Sequence, residues 1–403
     1  MRKIVGVVAE YNPFHRGHRY QIEEIKKKNA GAAVISVLSS NFLQRGAPAL
    51  LDKWERARAA VRCGVDLALE LPLPFCGNNA GVFADGAVAL LKATGVVEAI
   101  SFGMEDETDL LGAISAILVQ EPPAFKAILQ DFLKKGHSYA QARAGAIERL
   151  CPGGGALLGK PNNTLAVAYA EAALRQKAGF ELLPVRRAGA GYNDPSEGEI
   201  MSATGIREAL LNGRTEVAYR AMPDESAAIL RKNIAAGRCC LDWQPLWQAV
   251  RLLLMRAAGA ELARYADISE GIENRFLDLY PRCESFEELA ERVATRRYPR
   301  TRVRRQLMGM LLNVSEADNQ LFQRRGPAYI RPLAMNRRGR ELLRLMRKKS
   351  SLPVVTKPAG LRGDGYAQKI MALEFRGAAL WESFLPRPDW EREKKAVPLL
   401  LDD

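Results

Sequence analysis

The chain of 403 residues carries 59 Lys and Arg against 46 Asp and Glu, which gives a formal net charge of +13 at pH 7. Its 48% hydrophobic content is typical of a soluble globular protein, and its length predicts two or three domains. No apolar run approaches the roughly 18 residues that a membrane span requires, and no signal peptide is recognisable, so we expect a cytoplasmic protein with no membrane partner. The six cysteines show no C-x-x-C spacing, which argues against a disulfide framework and a zinc site.

Strand and helix patterns alternate over the first half of the chain. Short β-branched runs predict buried strands at residues 3–9, 32–38, 65–71, 96–102 and 180–185. Helical patterns occupy residues 17–28, 52–63, 84–93, 108–150, 163–176 and 202–211. This order predicts an α/β domain with a Rossmann-like, doubly wound parallel sheet at residues 1–220.

Helical patterns dominate residues 221–403, and the positive charge is concentrated there. This half holds 33 Lys and Arg against 23 Asp and Glu, whereas residues 1–220 hold 26 against 23. Only residues 353–355 have a strand-like pattern. We therefore predict a second, mainly α-helical basic domain at residues 221–403 that binds a polyanion.

Residues 10–18 read EYNPFHRGH and join the first predicted strand to the first helix. Ligands of open parallel sheets bind beyond the carboxyl ends of the strands, and a helix N-terminus at that edge favours phosphate. His15 and His18 share one face of the helical turn, and Gly17 permits close backbone approach. We predict that both imidazoles donate hydrogen bonds to charge that develops on a phosphate. The alternative is a capping or core role for His15 and solvent exposure for His18, but the position of the motif favours function.

A second phosphate motif follows the last predicted strand of the first half. Residues 199–207 read EIMSATGIR, which resembles the S-x-T-x-I-R loop that accompanies H-x-G-H in nucleotidyltransferases. Ser202 and Thr204 can donate hydroxyl hydrogen bonds, and Arg207 can grip phosphate bidentately. A plain helix cap with a solvated arginine is the alternative, and the two roles are compatible.

Together with these two motifs, the segments NFLQRG (41–46), KW (53–54), GVD (64–66), FG (102–103) and KPNN (160–163) resemble the bacterial tRNA(Met) cytidine acetate ligase family. The resemblance covers the first half and continues more weakly into the second. It implies a reaction in two steps, in which acetate and ATP form acetyl-adenylate and the acetyl group then moves to N4 of the wobble cytidine of elongator tRNA(Met). No K-M-S-K-S lysine is present, so more of the phosphate binding is expected to depend on Arg207.

The resemblance also implies an ATP site, which we expect to combine the H-x-G-H segment with residues from three later positions. Its members are Val8, Ala9, Glu10, Tyr11, Asn12, Pro13, Phe14, His15, Arg16, Gly17, His18, Arg19, Tyr20, Gln21, Gly103, Asn162 and Arg187, to which we add Ser202, Thr204 and Arg207.

Further contacts are predicted from position and charge. Lys53 lies at a helix start near the expected sheet edge and is a candidate for acetate, although it could equally be a solvated lysine. Mg²⁺ is expected with ATP and usually binds through water and few protein ligands; we assign no metal ligand, with Glu10 and Asp66 as candidates. Asn162 either contacts the nucleotide or caps a helix.

A cluster of arginines in the second half is the candidate tRNA surface. It contains Arg296, Arg297, Arg300, Arg302, Arg304 and Arg305, with Tyr298 among them. Because no acid interrupts it, we expect repulsion that a polyanion relieves, with stacking of bases on nearby aromatics. A second basic cluster covers residues 337–349. We further expect the first domain alone to build the ATP pocket.

Two other classes of function use the same features. A small-molecule nucleotidyltransferase would transfer an adenylyl group to a phosphate or alcohol, but seldom needs a large basic helical domain. A non-enzymatic RNA-binding protein with a relic nucleotide site is disfavoured by the intact His15, His18, Ser202, Thr204 and Arg207.

Overall fold

Five parallel strands form most of a seven-stranded sheet with the order β5-β4-β1-β2-β3-β6-β7. The computed structural model describes residues 3–106, 109–187, 201–361 and 365–401. The parallel strands are β1 (Ile4–Ala9), β2 (Ala33–Ser39), β3 (Leu67–Leu71), β4 (Ala99–Met104) and β5 (Glu181–Arg186). Their apolar character suits a sheet that is covered on both faces.

Side chains of the central strands alternate between two cores. Ile35 and Val37 of β2 lie in one hydrophobic cluster, whereas Val34 and Leu38 lie in the other. This period of two follows from the pleat, and helices cover both faces. The helices of the first half are α1 (Arg16–Lys28), α2 (Lys53–Arg62), α3 (Leu73–Cys76), α4 (Ala80–Ala93), α5 (Leu111–Gln120), α6 (Pro123–Lys134), α7 (Tyr139–Leu150), α8 (Gly154–Leu157), α9 (Pro161–Arg175), α10 (Ala203–Leu211) and α11 (Thr215–Arg220). The predicted doubly wound α/β fold is confirmed; Thr108, Glu199 and Ile200 of the predicted segments lie outside the described residues.

The second half is mainly helical, as the sequence predicts. Its helices are α12 (Asp224–Ala235), α13 (Gln244–Arg256), α14 (Gly259–Leu262), α15 (Ile272–Leu279), α16 (Phe286–Val293), α17 (Arg300–Leu311), α18 (Glu316–Arg325), α19 (Arg337–Lys349), α20 (Gly365–Glu382) and α21 (Arg392–Lys395). None of the helices in the described part of the chain is long and apolar enough to cross a membrane.

The second half also completes the sheet. Strand β6 (Pro332–Met335) runs antiparallel to β3, and β7 (Leu399–Leu400) pairs with β6. The strand-like pattern at residues 353–355 is not a strand, since only Val354 forms a single bridge with Ile330. Because the two halves share one sheet, the domain boundary at residue 220 stays a prediction.

Candidate active site

The H-x-G-H segment lies at the carboxyl edge of the sheet, between β1 and α1. His15 caps α1, and its Nδ1 accepts the Gly17 N–H at 3.1 Å. The Nδ1 of His18 accepts the His15 N–H at 3.2 Å, and the two imidazoles stack with centroids 3.7 Å apart. An imidazole whose Nδ1 accepts a hydrogen bond carries its proton on Nε2 when neutral. Both rings therefore have one Nε2–H available as a donor.

Burial keeps this histidine pair neutral. The pKa of His15 falls to about 3 because of burial and then because of the nearby Arg187 charge. The pKa of His18 is also well below its usual value, for which burial is the main cause and the charges of His15 and Arg187 contribute. Near pH 7 both imidazoles are therefore neutral, so they can donate hydrogen bonds but add no positive charge to the site.

The S-x-T-x-I-R segment closes over the same loop. Ser202 caps α10 by accepting the Gly205 N–H at 3.1 Å. Arg207 donates from Nη1 to the Asn12 carbonyl at 2.6 Å and from Nη2 to the Thr204 hydroxyl at 3.2 Å. Since a guanidinium has five N–H donors, these two contacts fix its position and leave donors for a phosphate. The cap and the phosphate role are compatible, and the phosphate role stays a prediction.

A third group forms where β4 and β5 end. Arg187 lies over Gly103, where an added Cβ would come within 3.2 Å of the arginine Cγ. Arg187 Nη1 donates to the Asn162 Oδ1 at 3.4 Å, and Asn162 Nδ2 donates to Glu105 Oε1 at 2.5 Å. Glu105 also accepts the Asn163 N–H at 3.0 Å. Glu105 was not predicted from the sequence; it does not line the cleft but holds Asn162, and an acid directly after the fourth strand was a usable signal for it.

These three groups line one cleft of about 470 Å³, a volume in the usual range for small-molecule sites. The predicted residues that line it are Val8, Ala9, Glu10, Tyr11, Asn12, His15, His18, Gln21, Gly103, Asn162, Arg187, Ser202, Thr204 and Arg207. Those that do not are Pro13, Phe14, Arg16, Gly17, Arg19 and Tyr20. The local structure explains two of these: the ring of Phe14 packs against that of Tyr11, and Arg19 pairs with Glu225.

The second half supplies part of the cleft, so the first 220 residues do not enclose the cleft alone. That the first domain alone builds the part of the cleft that binds ATP stays a prediction. Trp243, Arg300 and Arg304 line it together with Gln44 and Arg45 from the loop after β2. Helix α17 reaches the cleft because that loop supports it. An added Cβ on Gly46, whose φ is +71°, would lie 2.5 Å from the backbone nitrogen of Arg305.

Three of the six arginines in the predicted cluster are neutralised by acids from other segments. Arg302 forms a bidentate pair with Asp267 at 2.6 and 2.9 Å, and Arg297 pairs with Glu270 at 2.7 Å. Arg304 pairs with Glu287. The prediction that all six arginines repel one another is therefore wrong. The acids that neutralise three of them lie 17 to 35 residues away in sequence, so no local pattern shows them.

The other members of the cluster differ in their surroundings. Arg305 donates to the Gln44 carbonyl at 3.2 Å, and Arg296 donates to Gln141 at 3.2 Å. Tyr298 is buried under the Arg302 guanidinium, 4.1 Å from the ring centroid, and cannot stack on a base. Arg300 is exposed and has no hydrogen-bond or ion-pair partner within the described ranges.

Lys53 does not line the cleft. The predicted contact with acetate is wrong, because carboxylates of the chain itself already surround the Lys53 ammonium. Its fully buried ammonium pairs with Glu374 and Glu393, each at 2.8 Å, and also with Glu70. Arg331 adds a second cation, 2.5 Å from Glu393. The ligand of Lys53 is thus a set of carboxylates of the chain itself, and this buried cluster ties the second half to β3 and α2.

The two candidate metal ligands are separated by the sheet. Asp66 directly precedes β3 and therefore lies at the amino edge, where it accepts the Val34 N–H at 2.8 Å and the Asn336 amide at 3.0 Å. It is not a ligand for a metal in the cleft. Glu10 does line the cleft and accepts the Gln44 N–H at 2.8 Å.

The fold and this cleft define an enzyme of the H-x-G-H nucleotidyltransferase class, and the HIGH Nucleotidyl Transferase family model matches residues 2–396. The tRNA(Met) cytidine acetate ligase of Acetivibrio thermocellus is 37% identical over 365 residues, with 88% of each chain covered. That of Halothermothrix orenii is 31% identical over 410 residues, with 97% of each chain covered. The crystal structure of Thermotoga maritima TmcAL bound with alpha-thio ATP superposes with a TM-score of 0.92 at 32% identity over all of both chains.

The chain belongs to the tRNA(Met) cytidine acetate ligase family, a family of ligases. The resemblance drawn from the sequence motifs is thereby confirmed.

Proposed function

We propose that this protein is an ATP-dependent ligase that activates acetate as acetyl-adenylate and transfers the acetyl group to N4 of the wobble cytidine of elongator tRNA(Met). One observation carries the proposal. A single nucleotide-sized cleft unites the H-x-G-H and S-x-T-x-I-R segments, in a chain similar over its whole length to a protein crystallised with an ATP analogue.

The order of strands supports one orientation of ATP in the cleft. Gly103 and Arg187 lie above β4 and β5, which suits the adenosine, and the N-terminus of α1 above β1 suits the triphosphate. An acetate oxygen then attacks the α-phosphorus. The bond from that phosphorus to the oxygen bridging to the β-phosphorus breaks, and pyrophosphate leaves.

The histidine pair stabilises the charge that develops in this step. Each Nε2–H donates to a phosphoryl oxygen, and the backbone contacts at Nδ1 hold the rings in position beforehand. Arg207, held by Asn12 and Thr204, directs its remaining donors to the leaving phosphates. Mg²⁺ would neutralise phosphate charge, with Glu10 as the cleft carboxylate able to hold it directly or through water.

The second step requires an RNA nucleotide in the same cleft. The cytidine N4 attacks the carbonyl carbon of acetyl-adenylate, the bond from that carbon to the phosphate oxygen breaks, and AMP leaves as N4 loses a proton. The products are N4-acetylcytidine and AMP.

The test is isotope exchange of pyrophosphate into ATP, with and without acetate, followed by nucleoside mass spectrometry of tRNA. We expect exchange that depends on acetate and is much weaker with propionate or glycine. Elongator tRNA(Met) should gain one acetyl group at the wobble cytidine, while the same tRNA with uridine at that position should gain none. Adenylyl transfer to a phosphate or alcohol without acetate would instead identify a small-molecule nucleotidyltransferase.

A further inference from the structure

The second half contributes one wall of the cleft, which places a tryptophan ring beside arginine side chains. This wall consists of Trp243, Arg300 and Arg304, which face the cleft beside Gln44 and Arg45. Because Gln44 and Arg45 follow β2, this side of the cleft lies beyond β1 on the side opposite to β4 and β5. The wall is thus across the phosphate region from the end of the cleft that suits adenosine.

Trp243 is held as a platform. The edge-to-face contact of its ring with Phe286 has a centroid distance of 5.9 Å, and Phe286 is itself buried. The segment before it is fixed by the Cys240 N–H, which donates to the Leu50 carbonyl at 2.9 Å. The Asp242 side chain accepts the Gln244 N–H at 2.8 Å, and this hydrogen bond fixes the chain that follows Trp243, where α13 begins. A half-buried tryptophan fixed at a cleft wall offers a π-face to a planar ring.

Arg300 and Arg304 lie one turn apart on α17 but are not equivalent. Arg304 pairs with Glu287 of α16, the helix that also carries Phe286 beneath Trp243. Arg300 is exposed and has no partner among the residues that the structure describes. Of the two, Arg300 is the cation free to take an external anion.

The charge of the cleft exceeds what an adenylate needs. Its lining residues include five arginines and two glutamates, and one of the arginines, Arg304, is already paired with Glu287, so a formal charge of +2 remains (five less two less one). After pyrophosphate leaves, acetyl-adenylate carries one negative charge. A second phosphate at the outer wall would balance the remaining cations better than solvent does.

We propose that this wall is the subsite for an RNA nucleotide, in which Trp243 stacks on the base to be modified and Arg300 binds an adjacent backbone phosphate. The proposal rests on the proposed function for the identity of that base. The combination of a fixed aromatic ring and an unpaired arginine is the usual means of binding an unstacked nucleotide of a single-stranded loop.

The experiment compares Trp243→Ala, Trp243→Phe, Arg300→Ala and Arg300→Lys with the wild-type enzyme. The matched controls are Trp390→Ala and Arg251→Ala, which remove an exposed tryptophan and an exposed arginine outside the cleft. Acetate-dependent pyrophosphate exchange without tRNA should stay within about twofold of wild type in all variants. The kcat/KM for tRNA should fall about 5- to 150-fold in Trp243→Ala, the range for loss of one stacked base, and should largely recover in Trp243→Phe.

Salt dependence separates the roles of the two residues. Arg300→Ala should reduce the slope of log affinity for tRNA against log salt by about 0.7–0.9, and Arg300→Lys should restore it. Trp243→Ala should weaken binding without changing that slope. Direct tRNA binding, measured by filter retention without ATP or acetate, applies these tests even if the acetate chemistry of the proposed function fails.

Two results would overturn the proposal. Loss of pyrophosphate exchange in the wall variants would mean that the wall serves ATP. Unchanged tRNA affinity, salt slope and kcat/KM for tRNA in Trp243→Ala and Arg300→Ala would mean that it serves no RNA. A wild-type enzyme that binds tRNA through this wall but does not acetylate it would instead refute only the proposed function.

Discussion

Replacing Lys53 with Met tests the buried charge cluster that joins the two halves. The wild-type ammonium lies within 2.8 Å of Glu374 and Glu393 and also contacts Glu70, and all four side chains are buried. Met has a similar volume but no charge, so, among the residues that the structure describes, the variant leaves three carboxylates with Arg331 as their only ion-pair partner. Breaking a buried pair by removing one partner typically costs about 3–5 kcal/mol, and we expect a loss of that size in the free energy of unfolding near pH 8.

The loss should depend on pH in a definite direction. In the wild type, burial and the charge of Glu374 raise the pKa of Glu70 to about 7, against the opposing effect of Lys53. Without Lys53 the pKa of Glu70 rises further above the unfolded value of about 4.3, and the pKa of Glu374, which the Lys53 charge holds below its usual value against the effect of burial, rises as well. A group with a raised folded-state pKa contributes its stability below the unfolded pKa and loses it as pH rises through the folded pKa. Glu374 should therefore make the difference between wild type and variant grow from about pH 5 upward, and Glu70 should add to it only above about pH 7, where the wild-type carboxyl has already ionised.

Urea denaturation at several pH values measures this difference, with Lys27→Met as the control because the Lys27 side chain is 80% exposed. A Lys53→Met variant as stable as wild type at every pH, or a loss that does not vary with pH, would refute the reasoning. The same variant decides the acetate interpretation. A selective rise in the KM for acetate with unchanged stability would return Lys53 to the substrate site.

The remaining predictions concern the cleft. His15→Ala and His18→Ala should each lower acetate-dependent pyrophosphate exchange about 10²- to 10³-fold, the usual cost of losing one preorganised donor; exchange near the wild-type rate would remove that histidine from the mechanism. Arg207→Ala should raise the KM for ATP and lower kcat, and unchanged steady-state constants would leave this arginine a purely structural contact of Asn12 and Thr204. Gly46→Ala should lower both pyrophosphate exchange and tRNA affinity, since a Cβ would lie 2.5 Å from the Arg305 nitrogen at a φ of +71°; full activity would show that α17 adjusts at no cost.

Local sequence patterns predicted the strands, helices and site residues that depend on neighbouring residues in the sequence. The β-branched runs and helical periods gave all five parallel strands, and the junction after the first strand placed His15 and His18 at the correct edge. Strand β6 was not predicted, because a run of only four residues does not distinguish a strand from a loop or a buried turn. The partners of Lys53 lie up to 340 residues away, and no local rule shows that a lysine will meet three glutamates. Trp243 likewise was not predicted, because no motif surrounds it. Its proposed role depends on its position in the cleft beside α17 and the loop after β2, which only the fold shows.

The loop after β2 explains why the two walls of the cleft form one site. Arg305 of α17 donates to the Gln44 carbonyl at 3.2 Å, while the Gln44 N–H donates to Glu10 at 2.8 Å. A short chain of hydrogen bonds therefore runs from the helix that carries Arg300 and Arg304 to the carboxylate at the end of β1. Gly46 in the same loop lets the α17 backbone approach closely enough to complete it. Because one loop positions both walls, a displacement of α17 moves the proposed RNA subsite and the nucleotide site together, and a residue in this loop can affect both substrates without contacting either.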